Sequence, residues 1–343
     1  MRFIVLFSIL FLSIGCTNFF SKKDNNKNLI YLIGLNIVSS IPDAYARLFY
    51  INPLLINDPT NLSYLIDYSL YSSETSKKKI IFVHGWNTLD SPSPSYPSEN
   101  EMKQRILSQW SHILSNTSSF LSDIAYKKKY DIYFFTYLTS SSIEGNGIRF
   151  RNRLDSAFKN QSSNTYIFAH SMGGLISRIA LYQESSPDYL AKIISSGTPY
   201  HGSPWSSLNF QNNSGTLGDI AKYITNTDGG KDLAWDNFDN SIQGASNTIL
   251  SKYNSNTSRD SIITAYYGSI SSILSYVGTD FSLLPGCTSL GVTYSPSDCI
   301  VPQSSAIFNK GGVSQSIDIG KYHHIDLNLR VDVIKNQLIL DLP

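Results

Sequence analysis

The clearest indication of the fold of this chain is TYIFAHSMGG, residues 165–174. Its first five residues are β-branched, aromatic or small, which is typical of a strand buried on both faces. The apolar side chains of residues 173–182 have helical spacing, so Ser171 stands between a strand and a helix. Small residues, Ala169 and Gly173, lie two positions before and after it. This is the context of a nucleophile elbow, a sharp turn that holds a serine hydroxyl clear of a sheet.

Outward from this stretch, short apolar runs alternate with segments of helical spacing. The predicted strands are residues 80–83, 131–136, 165–169, 193–196 and 262–267, and the predicted helices are residues 101–114, 147–158, 173–182 and 327–340. Such alternation indicates an α/β fold, in which parallel strands are joined by crossover helices. Residues 29–71 are apolar enough to be folded, either as early strands or as a packing arm.

Length and composition narrow the class of protein. The 343 residues correspond to about two domains or to one large domain with an insertion. Lys and Arg number 27 and Asp and Glu 26, so a nucleic-acid partner is not expected. Hydrophobic residues make up 41% of the chain, which excludes wholesale disorder, collagen and coiled coil.

The start of the chain has the pattern of an export signal. Arg2 precedes an apolar run, residues 3–14, that is shorter than the roughly 20 residues needed to span a bilayer. The run ends at Gly15-Cys16, which resembles a lipoprotein signal, in which the cysteine is acylated. We therefore expect a signal peptide over residues 1–15, a flexible tether over 16–28, and a membrane-anchored lipoprotein of the cell envelope. Ordinary secretion, or release to the periplasm, and an uncleaved anchor remain open.

Two cysteines remain if Cys16 carries lipid. Cys287 and Cys299 are then an even number in an oxidising compartment, which predicts a disulfide between them. Two separate buried thiols are the alternative, because sequence alone does not place the two α-carbons within bonding distance.

The motifs resemble those of the α/β-hydrolase lipases and esterases, especially bacterial lipases with an Ala-His-Ser-Met-Gly elbow and related serine esterases. The resemblance covers residues 79–340 and includes IIFVHGWN, residues 80–87, which matches a family strand that ends in His-Gly. It implies an α/β-hydrolase domain over residues 29–343, with a mostly parallel central sheet and helices on both faces. It also implies an oxyanion hole made by the backbone N–H groups of Trp86 and Met172.

The same resemblance implies the partners of Ser171. SDCIVPQSSA, residues 297–306, resembles the family's acid loop with Cys299 where glycine is usual, so Asp298 is the implied acid. KYHHIDL, residues 321–327, follows it and implies His324, rather than His323, as the base. Asp280 is an alternative acid, and His201 is a weaker alternative for the base.

The implied reaction is hydrolysis of acyl esters through a Ser-His-Asp triad and an acyl-enzyme, by a lipase or an esterase that needs no cofactor. Lipid is the favoured ester, and an N-terminal lipid anchor would bring the protein to a membrane. Two alternatives are a surface lipoprotein that binds lipid or another ligand without turnover, and an acyltransferase or amidase of the same fold.

The polar segment 206–260 is predicted to be an inserted lid or cap, because it lacks a strand pattern but carries scattered aromatic residues. Four aspartates in it, Asp228, Asp232, Asp236 and Asp239, lack the ligand order of a calcium loop. We expect them to form a solvated or helix-capping face and expect no metal.

Overall fold

The structure, a computed structural model, describes residues 46–87, 97–114, 119–162, 164–206, 226–235, 247–291, 294–307 and 315–343. The predicted signal peptide and tether, Cys16, and two of the four aspartates, Asp236 and Asp239, lie outside the described residues. So does most of the segment 206–260, of which residues 206, 226–235 and 247–260 are described.

A sheet of eight strands runs through the described chain. The strands are β1 Ala46–Ile51, β2 Leu65–Asp67, β3 Lys78–Val83, β4 Tyr130–Tyr137, β5 Thr165–His170, β6 Leu190–Ser196, β7 Ile263–Gly268 and β8 Gln315–Gly320. Their order across the sheet is β2-β1-β4-β3-β5-β6-β7-β8. The strands from β3 to β8 are mutually parallel, whereas β1 pairs antiparallel with both β4 and β2. The predicted mostly parallel sheet is confirmed.

Nine helices connect or cover these strands in the part of the chain that the structure describes. They are α1 Glu99–Leu114, α2 Phe120–Ser122, α3 Ile143–Phe158, α4 Met172–Leu181, α5 Asp228–Lys231, α6 Thr248–Asn254, α7 Leu284–Leu290, α8 Gln303–Ala306 and α9 Asp332–Asp341. A π turn, Asp123–Lys127, continues α2. Short 3-10 turns occupy Pro53–Ile56, Leu62–Tyr64, Tyr68–Leu70, Pro204–Ser206, Asp260–Ile262 and Ile273–Ser275.

Helices lie on both faces of the sheet because successive strand residues point to opposite sides. In β3, Ile81 and Val83 belong to one buried cluster, and Ile80 and Phe82 belong to the other. The first cluster includes apolar residues of α3 and α4, and the second includes apolar residues of α1 and α9. Each central strand is therefore covered twice, as its near-continuous apolar sequence predicts.

The last helix begins later than predicted. The sequence predicts a helix over residues 327–340, but α9 starts at Asp332. Leu329 has a φ of 58°, a left-handed conformation that a right-handed helix does not contain. The apolar side chains of Leu327 and Leu329 are buried as parts of turns, so their spacing imitates that of a helix.

No helix among residues that the structure describes is both long enough and apolar enough to cross a membrane.

Candidate active site

Ser171 occupies a strained turn between β5 and α4. Its φ of 55° and ψ of −127° are sparsely populated by residues other than glycine. The turn is held by Ser171 N–H, which donates to the Ser196 carbonyl at 2.8 Å, and by the Thr198 hydroxyl, which donates to the Ser171 carbonyl at 3.1 Å. A Cβ at Gly173 would lie 2.5 Å from the His84 carbonyl oxygen, so this position has no room for a side chain.

His324 contacts Ser171 and Asp298 at the same time. Its Nε2 lies 2.8 Å from Ser171 Oγ, and its Nδ1 lies 2.7 Å from Asp298 Oδ2. With the ring neutral and the proton on Nδ1, Nδ1–H donates to the carboxylate and Nε2 accepts from the serine hydroxyl. The three side chains, predicted from separate motifs, form one hydrogen-bonded chain.

The chain topology brings these residues to one edge of the sheet. Ser171 directly follows β5, Asp298 lies between β7 and β8, and His324 follows β8. Since these strands are parallel, the segments after their carboxyl ends meet at one edge, where ligand sites of open α/β sheets form.

Asp298 is fixed on both sides. Its Oδ1 accepts hydrogen bonds from the backbone N–H groups of Ile300 at 3.0 Å and Val301 at 2.6 Å, which leaves Oδ2 for His324. The Asp298 carbonyl accepts from His324 N–H at 2.8 Å, so the loops of Asp298 and His324 are joined by backbone as well as by side chain.

Cys287 and Cys299 form a disulfide, as predicted. Cys299 has a φ of 71°, so the residue next to Asp298 adopts the left-handed conformation for which glycine is the usual choice. The bridge ties this turn to α7.

The alternative acid and base residues have other partners. Asp280 Oδ1 accepts from Ser282 N–H at 2.9 Å, and hydrogen bonds from Ser282 lower the pKa of Asp280. His323 contacts the Asp280 carbonyl through Nε2 and Asp326 through Nδ1. The His201 ring contacts the Asn254 amide at 3.2 Å. It is His324 that contacts Ser171, and it is Asp298 that contacts His324.

Gly85 brings the predicted oxyanion strand against Ser171. A Cβ on Gly85 would lie 2.7 Å from Ser171 Cβ, so only glycine allows this approach. The Gly85 carbonyl accepts from Nδ1–H of His84 at 2.8 Å. Because a peptide unit is planar, this bond also fixes the direction of Trp86 N–H. Met172 supplies the first N–H of α4, where the helix dipole favours negative charge.

His84 is a neutral ring that supports this strand. Burial lowers the pKa of His84 to about 4. Its Nε2 accepts from Tyr137 N–H at 3.3 Å, while the Tyr137 hydroxyl donates to the His84 carbonyl at 2.6 Å. One tautomer satisfies all the nitrogen contacts, so the ring links β4 to the predicted oxyanion loop.

Sequence reasoning missed His170 as a support of His324. His170 Nε2 lies 2.9 Å from the His324 carbonyl oxygen, and the two rings lie 4.8 Å apart. Burial holds the pKa of His170 well below its ordinary value, so the neutral ring donates its Nε2–H to that carbonyl. The only signal in the sequence is its position beside Ser171.

A cavity of about 280 Å³ opens on Ser171 and His324. Its wall is mostly apolar, although His170, Ser203 and Ser206 also line it. The apolar residues of the wall are Trp86, Pro199, Trp205, Leu233, Leu283, Ile300, Val301 and Ile325. Such a wall suits a hydrocarbon chain held beside the serine.

The two described aspartates of the segment 206–260 have structural partners. Asp232 caps α3, since its Oδ2 accepts from Ile143 N–H at 2.8 Å, and burial raises its pKa to about 6. Asp228 is exposed and lies 3.7 Å from Lys231. In the described ranges, no cluster of His, Cys, Asp or Glu is arranged to hold a metal ion.

Comparison of the whole structure with known proteins identifies the fold. No family model and no curated protein matches the sequence. The structure resembles Bacillus licheniformis lipase BlEst2 in its mature form, at 20% identity and a TM-score of 0.51, over 79% of this chain and 94% of that one. The chain has the α/β-hydrolase fold.

Looser likenesses are found as well. Phospholipase PlaB from Legionella pneumophila aligns over 67% of this chain and 44% of its own, at 15% identity and a TM-score of 0.41. A hydrolase from Oleispira antarctica aligns over 79% of this chain and 92% of its own, at 13% identity and a TM-score of 0.41.

Proposed function

We propose that this protein is a serine hydrolase of carboxylic esters, in which Ser171 is the nucleophile, His324 the general base and Asp298 the acid that orients it. One observation carries the proposal: the unbroken hydrogen-bonded chain from Ser171 Oγ through both ring nitrogens of His324 to Asp298 Oδ2. It stands on the strained turn that a nucleophile elbow requires.

The proposed reaction begins with attack of Ser171 Oγ on the ester carbonyl carbon while His324 Nε2 takes the hydroxyl proton. Asp298 stays ionised and stabilises the imidazolium through Nδ1–H. The N–H groups of Met172 and Trp86 bind the oxyanion of the tetrahedral intermediate. Its collapse breaks the ester bond, and His324 gives the proton to the leaving alcohol. Water, activated by the same ring, then attacks the acyl-enzyme and releases the acid and the free serine.

The apolar cavity supports an acyl chain as the group held beside Ser171. Hydrocarbon binding gains free energy from each methylene removed from water, about 0.8 kcal/mol. A lipase is therefore expected to prefer long acyl chains, whereas an esterase of small soluble substrates is expected to prefer short ones.

We assign the segment 206–260 as a lid or cap over this cavity. Leu233, one of its described residues, lines the cavity beside Ser171 and His324. Replacing residues 207–225 by a short Gly-Ser linker is expected to change the preference between long and short acyl chains. Unchanged rates on both classes of ester would contradict a lid.

We also propose that the chain is exported and acylated at Cys16. Wild-type protein made in a bacterium that processes lipoproteins is expected in the detergent phase on phase separation, and Cys16→Ala in the aqueous phase. Equal partitioning of the two proteins would contradict acylation.

The activity is tested with p-nitrophenyl esters from acetate to palmitate, using the chain from Ser21 onward and its Ser171→Ala variant. We expect turnover in the first protein and its loss in the second. Turnover that Ser171→Ala retains would contradict the proposed nucleophile. A maximum at long chains would favour a lipase, and a maximum at acetate or butyrate would favour an esterase. Transfer of the acyl group to an added alcohol in preference to water would identify an acyltransferase.

A further inference from the structure

The segment between β7 and the acid loop concentrates apolar side chains in solvent. Nine large apolar side chains are exposed in the described part of the chain, and four of them lie within residues 273–281. These are Ile273, Leu274, Val277 and Phe281, with exposed fractions of 42%, 97%, 58% and 67%. The other five are scattered, which is ordinary for a protein surface, whereas a cluster marks an interaction site.

The backbone under these side chains is held firmly. Val277 N–H donates to the Lys321 carbonyl at 3.1 Å, and the Tyr276 hydroxyl lies 3.0 Å from Asp326 Oδ2. The Tyr276 ring also stacks on His323, with centroids 5.1 Å apart. The exposed side chains therefore project from a segment that is fixed to the loop of His324.

The apolar surface continues toward the cavity that opens on Ser171. Phe281 is followed two residues later by Leu283, which lines that cavity. The next residue, Leu284, is buried with Ile270 and Cys299 beside the acid loop. A hydrocarbon surface that covers residues 273–281 would thus reach the rim of the proposed acyl site.

The charge of this segment indicates which lipid headgroups it can face. Residues 269–291 contain a single charged side chain, Asp280, and no lysine or arginine. Attraction to anionic headgroups depends on clusters of lysine and arginine, which residues 269–291 do not contain. Its chemistry suits a zwitterionic or neutral lipid surface, into which leucine and phenylalanine insert.

We propose that residues 273–281 form the surface by which this protein docks on zwitterionic or neutral lipid, with the rim of the acyl cavity facing the lipid. This inference rests on the proposed function, because docking serves to bring the ester bonds of lipid molecules to Ser171. It assigns the contact to a segment outside the proposed lid.

Binding to phosphatidylcholine vesicles tests the surface without turnover. The protein is made from Ser21 onward, so that the apolar run of residues 3–14 does not contribute, and all variants carry Ser171→Ala. This chain keeps the whole compact unit Asp43–Pro343, which contains every described residue. The test variant is Leu274→Ser with Phe281→Ser. The control is Leu70→Ser with Leu340→Ser, whose side chains are 81% and 77% exposed elsewhere on the surface.

Sedimentation with vesicles is expected to show at least about tenfold weaker partitioning of the test variant than of its parent, because two inserted apolar side chains are lost. The control is expected to bind as the parent does. Equal binding of test variant and parent, equal loss in both variants, or no binding by the parent would overturn the proposal. So would a change from dimer to monomer in the test variant, since the surface would then cover a second copy of the chain.

Activity assays keep this inference separate from the proposed function. With Ser171 restored, the test variant is expected to hydrolyse soluble p-nitrophenyl butyrate at the parent rate and emulsified tributyrin more slowly. A parent that binds vesicles but hydrolyses neither ester would contradict the proposed function and leave the surface standing. A parent that hydrolyses the soluble ester but does not bind vesicles would overturn the surface alone.

Discussion

At the scale of single residues, His170 supports His324, the proposed base, from the side of Ser171. Its Nε2–H donates to the His324 carbonyl, while the His324 ring contacts Ser171. A shift of the His324 loop would therefore misplace Nε2 relative to Ser171 Oγ. We regard His170 as a positioning residue, because its hydrogen bond is to the backbone of His324.

We predict that His170→Leu lowers kcat for p-nitrophenyl butyrate about 10- to 100-fold, because a small displacement of His324 relative to Ser171 lowers the rate of the reaction. His170→Gln keeps an N–H donor at that position and is expected to recover most of kcat. KM is expected to change less than kcat in both variants. Equal kcat values for the leucine and glutamine variants at matched Tm would contradict a positioning role.

The sequence motifs predicted the three residues of the hydrogen-bonded chain but not all of their supports. Ser171, Asp298 and His324 each stand in a short motif that resembles a family motif, so the sequence indicates them without knowledge of contacts. His170 and Tyr137 act through a hydrogen bond to the backbone of another segment. Such bonds form between strands and loops that are far apart in the sequence, so a short sequence pattern does not predict them.

At the scale of elements, the turn after Asp298 depends on the disulfide. Cys299 holds a left-handed conformation at φ 71°, which costs a residue other than glycine about 1 to 2 kcal/mol. The disulfide to Cys287 keeps Cys299 in this unfavourable conformation.

We predict that Cys287→Ala lowers kcat as well as the free energy of unfolding, the latter by about 3 kcal/mol. Adding Cys299→Gly to Cys287→Ala is expected to restore kcat, because glycine adopts this conformation freely, but not the stability given by the cross-link. Ester hydrolysis and urea unfolding measure the two effects. Failure of the double variant to recover any kcat would show that the turn conformation is not what the bridge provides.

A buried ion pair anchors the far end of α4. Arg178 donates to both carboxylate oxygens of Asp260 at 2.9 Å, and both side chains are buried. The pair joins the helix that follows Ser171 to the start of β7.

We predict that Asp260→Ala lowers the free energy of unfolding by about 3 to 5 kcal/mol, since it leaves a buried guanidinium without its counter-charge. Lys127→Ala, which removes an exposed partner of Asp123, is the control and is expected to cost less than about 1 kcal/mol. Urea unfolding followed by circular dichroism compares them. Equal losses in the two variants would contradict this account of the pair.

The sequence predicted elements well where both faces are covered and less well at the edges. All five predicted strands are present, because their apolar runs reflect burial between two layers. The strand β8 was missed: it is an edge strand with three exposed residues, so its sequence QSIDIG lacks an apolar run. The strand β2 has only three residues. Strand β1 falls in a segment that the sequence predicted as folded without ordering its parts.

At the scale of the whole molecule, buried histidines couple folding to pH. Burial lowers the pKa of His84 and of His112 to about 4 and holds that of His170 well below its ordinary value. The unfolded chain therefore binds protons, below about pH 6.5, that the folded chain does not bind. Asp232 acts in the opposite sense, because its pKa is raised to about 6 in the folded state.

We predict that the free energy of unfolding falls as the pH is lowered from about 6.5 to about 4, with a loss of about 3 kcal/mol from His84 alone. The three histidines outweigh the opposite contribution of Asp232. Urea midpoints measured near neutral pH and near pH 4.5 check the sign. A midpoint that stays constant or rises in acid would contradict the assignment of these rings as buried and neutral.

Covalent labelling of the folded protein by a fluorophosphonate, with the modified peptide located by mass spectrometry, tests whether Ser171 is the nucleophile. We expect one label on Ser171 in the wild-type chain and none in Ser171→Ala. We also expect much slower labelling in His324→Ala, which lacks the base, and in Asp298→Asn, where the base is no longer oriented and stabilised by a carboxylate. Label on another serine, or equal rates in the wild-type and His324→Ala proteins, would contradict the proposed roles of Ser171 and His324.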